Sequence, residues 1–170
     1  MVDSKKPTES KPKINPYPGL RPFLSDESHL FFGRDEQRNE LLSRLRSSRF
    51  LAVVGTSGSG KSSLVRASLL PGLLAGFMDR SGTRWSIADT RPGVDPIRSL
   101  AAALDKTGVL RDQGLEEGEH SFTEMNLRRN AHGLVTAFRE AQLPKKQRLL
   151  VLVDQFEELF RFVDETSRNR

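Results

Sequence analysis

The chain has 170 residues, 36% of them hydrophobic, which suffices for one domain with a sizeable core. The absence of cysteine excludes disulfides and thiolate metal sites, and His29, His120 and His132 lack metal-ligand spacing. The net charge of +5 comes from basic residues scattered through RLRSS, RSSRF, LRRN and KKQR without interleaved aromatics; such solvated faces argue against a nucleic-acid partner.

Residues 1–15 are rich in Lys, Pro and Ser and poor in large apolar side chains, so they are predicted to be a disordered tail. Prolines from Pro12 to Pro22 then hold the chain extended, and order is expected from about Tyr17. There is no signal-peptide core, and no apolar run approaches the roughly 18 residues of a membrane span. A soluble, cytoplasmic protein is therefore expected.

SDESHL predicts a short helical turn and Gly33 a break. A helix follows, opened and capped by Asp35, with Leu41, Leu42 and Leu45 on its apolar side. RFLAVVG (49–55) reads as a strand buried on both faces, and KSSLVRASLL as a helix that Pro71 and Gly72 end or kink. TRWSIADTRPG predicts a second strand anchored by Trp85 and Ile87 and closed by a Pro92–Gly93 turn. DPIRSLAAALDK predicts a helix with proline just inside its start, and GLEEGEHS a loop. FTEMNLRRNAHGLVTAFREAQL predicts a helix weakened in its middle by Gly133, and LLVLV a last strand. Strands alternating with helices give an α/β class, a mostly parallel sheet flanked on both faces by helices.

Gly55, Thr56, Ser57, Gly58, Ser59, Gly60, Lys61 and Ser62 fit the pattern GxxxxGK[ST] at every fixed position, between an apolar run and an amphipathic helix. Glycines let successive backbone N–H groups turn inward around an anion, and the helix start adds its positive end. In this Walker A reading Lys61 reaches the β- and γ-phosphates, Ser62 binds Mg2+ and Ser63 contacts the α-phosphate.

In LLVLVDQFEELF the apolar run ends on Asp154, at the carboxyl edge of a parallel strand, where open α/β sheets bind ligands. Asp154 suits a Mg2+ site, and Glu157 or Glu158 suits a general base. The alternative is an N-cap at Asp154 with Glu157 at the capping-box position. Arg91, ending the second strand, either faces a γ-phosphate or simply opens the RPG turn. No guanine-reading NKxD, no LSGGQ-like signature and no clear Arg-rich lid follows, so ATP is the expected nucleotide.

PYPGLRPF (16–23), FFGRD (31–35), RFLAVVGTSGSGKSSLVRASLLPGL (49–73), RPG followed by P and LA (91–102) and LLVLVDQFEELF (149–160) together resemble the novel STAND NTPase 1 domain over about residues 16–163. That domain occurs in bacterial multidomain regulators, often ahead of WD-repeat propellers. The resemblance implies an AAA-like P-loop NTPase fold and a switch operated by ATP and ADP. Protein partners or C-terminal sensor domains, and oligomerisation on activation, come with it. It places Phe32, Gly33 and Arg34 beside adenine and ribose, although Gln37 stands where the usual acidic residue would, with Glu36 beside it. DQFEE resembles a Walker B form in which Asp154 binds Mg2+ and Glu158, ahead of Glu157, polarises water.

Relative to such a domain, residues 16–170 are expected to be the N-terminal part, without the sensor strand and lid. A gap would then fall between the P-loop strand and the Walker B strand, leaving unpaired backbone groups. Two functions follow as expectations: a Mg-ATP switch with slow hydrolysis in a full-length form, or a nucleotide-binding or interaction module without turnover.

Overall fold

The computed structural model describes residues 16–76, 83–110 and 122–161. The predicted tail at 1–15, the loop GLEEGEHS and the final DETSRNR lie outside the described residues. The chain divides into two compact units, Met1–Pro71 and Gly72–Arg170.

In the first unit the predicted turn is a 3-10 helix, Ser25–Leu30, followed by α1, Asp35–Ser47. Arg34 occupies the cap position and Asp35 is the first helical residue, so Asp35 does not cap as expected. Its carboxylate instead pairs with Arg38 at 2.9 Å, close to the positive end of the helix. Leu42 is the buried member of the apolar side. Both α1 and the 3-10 turn pack on the stretch Leu64–Leu69, which buries Val65, Ala67 and Leu69.

The strand expected at 49–55 is not formed. Residues 51–56 have no ladder partner, and Phe50 and Val54 are 79% and 89% exposed. Apolar composition predicts burial, but a strand also needs a partner to exchange hydrogen bonds with, and among the described residues no strand is paired with this segment.

The helix after the glycine-rich loop begins as α2, Lys61–Ser63, widens over Leu64–Leu69, and ends as α3, Leu70–Leu74. In the wide stretch the Leu70 N–H reaches back five residues to the Val65 carbonyl. Pro71 and Gly72 therefore do not end the helix. A proline ring crowds the carbonyl four residues earlier and lacks an N–H, and a widened turn is one way a helix accommodates it.

The second unit holds β1, Arg84–Thr90, and β2, Gln147–Val153, paired in parallel from Arg84↔Gln147 to Thr90↔Val153. Between them run α4, Pro96–Thr107, α5, Phe122–Arg129, and α6, Gly133–Glu140. Alternation places Ala88, Leu149 and Val151 on one sheet face, where they join Ala101, Leu104, Leu127 and Ala137 in the core. Ala88 is fully buried, whereas the expected anchors Trp85 and Ile87 are only half-buried on the opposite face. The Arg148 guanidinium lies 5.9 Å from the Trp85 ring centre.

The start of α4 follows its sequence signals: Asp95 Oδ1 accepts from the Arg98 N–H at 3.1 Å, Pro96 is the first helical residue, and Gly108 follows the end. The single helix expected from Phe122 to Leu143 is two helices, broken between Arg129 and Gly133. The described residues thus combine helices with a two-stranded parallel sheet, consistent with an α/β class. No helix among them is long and apolar enough to cross a membrane.

Candidate functional site

The predicted site residues fall into two groups, one in each unit. In the first, residues 55–60 form an exposed loop leading into α2. The Ser59 N–H meets the Thr56 carbonyl at 3.3 Å, and the Leu64 N–H meets that of Gly60 at 2.8 Å. Gly58 and Gly60 adopt φ of +76° and +83°, left-handed values that turn the chain and that side chains with a Cβ resist. Lys61 folds over the loop, its Nζ donating to the carbonyls of Gly55 and Thr56, each at 2.9 Å. Ser62 and Ser63 stand half-buried on the first turn behind it.

The loop opens onto a cavity of about 370 Å³ whose lining includes Ser59, Gly60, Lys61 and Ser63 of the loop and helix start together with Phe23, Phe31 and Arg34. That volume lies in the range of small-molecule sites. Of Phe32, Gly33 and Arg34, Arg34 is among the residues lining this cavity, and Phe32 is 79% exposed. Sequence reasoning missed Phe31 and Phe23. Of two adjacent phenylalanines it cannot say which turns inward, and Phe23 comes from a segment 40 residues before Ser63.

That segment is a strap over the helix start. The Phe23 N–H donates to Ser63 Oγ at 3.2 Å, the Ser25 hydroxyl donates to the Arg66 carbonyl at 2.9 Å, and the rings of Phe23 and Phe31 lie 5.6 Å apart. Arg21 grips Glu27 with its two terminal guanidinium nitrogens, Nη1 and Nη2, at 2.7 and 2.5 Å, and the Leu24 N–H donates to the same carboxylate at 3.0 Å. The Arg21 hydrogen bond, followed by the Leu24 N–H, lowers the Glu27 pKa to about 2. A depressed carboxylate pKa contributes stability that is present above the unfolded value and lost as pH falls through the folded one. The advantage of wild type over Glu27→Gln in thermal midpoint should therefore shrink between about pH 4.5 and 2. Parallel acid limbs for the two proteins would show that the strap carboxylate is not linked to folding.

In the second unit the sequence-predicted acidic residues gather at the carboxyl end of the β1–β2 pair. The Asp154 N–H extends the ladder to the Thr90 carbonyl at 2.9 Å. Asp154 Oδ1 accepts from the Gln155 N–H at 3.1 Å, and Oδ2 faces Arg91 Nη2 at 3.5 Å. Gln155 itself sits at φ +57°, a left-handed value in a non-glycine residue, of the kind that clusters at functional sites. Glu158 turns back toward the sheet, its Oε2 accepting from the Gly93 N–H at 3.0 Å, while Glu157 is exposed. Among the described residues no cluster of three or more His, Cys, Asp or Glu is arranged to hold a metal.

No curated protein and no solved structure matches the chain. The family model described as Novel STAND NTPase 1 matches residues 16–170, which covers the loop, the strap and the acidic end of β2. The chain belongs to the Novel STAND NTPase 1 family.

Proposed function

We propose that this chain is the ATP-binding P-loop part of a STAND-type regulatory switch. The observation that carries the reading is the left-handed glycine loop with Lys61 at its mouth, opening onto the cavity of Phe23, Phe31 and Arg34. In this reading the loop N–H groups and Lys61 hold the β- and γ-phosphates, the Ser63 hydroxyl reaches the α-phosphate, and the aromatic side receives the base. In this reading Arg34 and Phe31 line the cavity that receives the base, with Gly33 beside Arg34 in the chain and Phe32 exposed.

Ser62, in the first unit, and Asp154, in the second, are the oxygen donors that this reading assigns to Mg2+. A hydroxyl and a single carboxylate are hard oxygen donors, and they suit an ion that keeps several of its waters and takes only one or two protein ligands. Mg2+ would supply neutralisation of phosphate charge. Glu158 would act as general base, taking a proton from water as its oxygen attacks the γ-phosphorus and the bond to the bridging oxygen breaks, giving ADP and phosphate. Its half-buried position and its bond to Gly93 favour it over the exposed Glu157.

The fold in this reading is that of a P-loop NTPase, working in the cytoplasm, where ATP is abundant. The ATP or ADP state would be read by protein partners, by sensor domains such as WD repeats in a longer protein, or by oligomerisation. A second reading, binding without turnover, is favoured by the unpaired segment at 51–56, because a loop on an unpaired segment is less preorganised around the γ-phosphate.

The test is a calorimetric titration with Mg-ATP followed by single-turnover hydrolysis. Glu158→Gln should keep wild-type affinity and lose turnover by a factor of about 10² to 10⁴, with Glu157→Gln close to wild type. Saturable binding with no turnover in wild type selects the second reading, and absence of binding removes both.

A further inference from the structure

The turn Arg91–Pro92–Gly93 touches both acidic residues that the proposed chemistry uses. Arg91 Nη2 lies 3.5 Å from Asp154 Oδ2, and the Gly93 N–H donates to Glu158 Oε2 at 3.0 Å, contacts made across 63 and 65 residues of sequence. The strand register produces this. The ladder ends at Thr90↔Val153, so Arg91 and Asp154 are the next pair along two parallel strands. A turn of this kind needs Pro92 and Gly93 but has no use for a guanidinium at its first position. The ion pair is also lopsided: the Arg91 side chain is 49% exposed, whereas that of Asp154 is 14% exposed. The carboxylate is the enclosed partner and the guanidinium the exposed one.

We propose that Arg91 is a positioning residue serving as the counter-ion of Asp154, so that a divalent cation reaches this carboxylate in exchange with the guanidinium. Gly93, two residues on, ties Glu158 to the same turn, so the exchange is felt at the general base. The proposal rests on the reading of Asp154 as the cation carboxylate. Its physical basis is that two cations cannot share one carboxylate oxygen without mutual repulsion, so the Arg91 charge raises the cation concentration needed. The pair is partly exposed, so the effect is modest and screened by salt.

The test is a titration with Mn2+, followed by its electron paramagnetic resonance signal, on the chain with bound nucleotide. Arg91→Gln and Arg91→Met should bind Mn2+ about two- to fivefold more tightly than wild type at low salt, with the difference shrinking at high salt. Arg91→Lys, which keeps the charge, should stay near wild type. Asp154→Asn should weaken Mn2+ binding, and in that background Arg91→Gln should have no further effect, which a merely structural role for Arg91 would not produce. Circular dichroism identifies any variant that fails to fold, and the remaining arginine substitution then decides. If Asp154→Asn weakens Mn2+ binding but neither neutral arginine variant strengthens it, the counter-ion proposal is overturned and the Asp154 reading stands. If Asp154→Asn binds Mn2+ like wild type, both are overturned.

Discussion

Replacing Lys61 with alanine is expected to lower the affinity for Mg-ATP by at least about a hundredfold while leaving the thermal midpoint nearly unchanged. The ammonium is held at the loop mouth by two carbonyls, those of Gly55 and Thr56. Phosphate oxygens offer it charge-assisted hydrogen bonds, each worth about 1.5–3 kcal/mol. Losing two of them is therefore more than two decades in affinity. The folded state loses little, because both carbonyls belong to exposed residues and can be hydrated instead. Lys61→Arg tests shape as well as charge, since a planar fork cannot reproduce a compact ammonium in the same space. Calorimetry with Mg-ATP and with ADP checks the result. Undiminished binding by Lys61→Ala would mean that the glycine loop is not the phosphate site.

The contrast between affinity and stability at Lys61 reflects what was readable in the sequence. Local signals carried the loop, because the turns at Gly58 and Gly60 need glycine itself. They also carried α4, whose start was marked by Pro96 and whose body is rich in Ala and Leu; the Asp95 cap and Gly108 at its end emerge from the structure. Features that depend on a neighbour were not readable. The segment at 51–56 has the apolar composition of a buried strand, yet composition says nothing about whether a partner lies beside it. The same limit hid Arg91. Its two roles, turn residue or charged group, separate only once the β1–β2 register sets it against Asp154. The block FFGRD was recognisable, but that Phe31 lines the cavity while Phe32 is exposed was not readable from two adjacent phenylalanines. The widened turns at Leu64–Leu69 have no residue signature beyond the proline downstream of them.

A glycine in a helix usually marks a position where alanine would stabilise the fold, by about 0.5–1 kcal/mol. At Gly133 the sign should reverse. A Cβ built there overlaps the Asn126 carbonyl oxygen and comes within 2.9 Å of Leu127 Cα, so the first residue of α6 touches the backbone of α5 directly. Backbone atoms cannot rotate aside, so the helices must separate. Separation withdraws Leu127 from the core it shares with Leu104 and Ala137. It also pulls on α4, to which α5 is tied by the Thr123 hydroxyl on Asp105 at 2.5 Å and by Arg128, which bridges Glu124 and Asp95 at 2.9 and 2.6 Å. Overpacking of this kind costs about 1–3 kcal/mol or more, which for a unit of this size means a thermal midpoint lower by about 10 °C in Gly133→Ala. Gly133→Val should be worse, since its branched side chain adds bulk at the same contact. A midpoint that rises in Gly133→Ala would show that α5 and α6 do not approach this closely, and that the break between Arg129 and Gly133 has another origin.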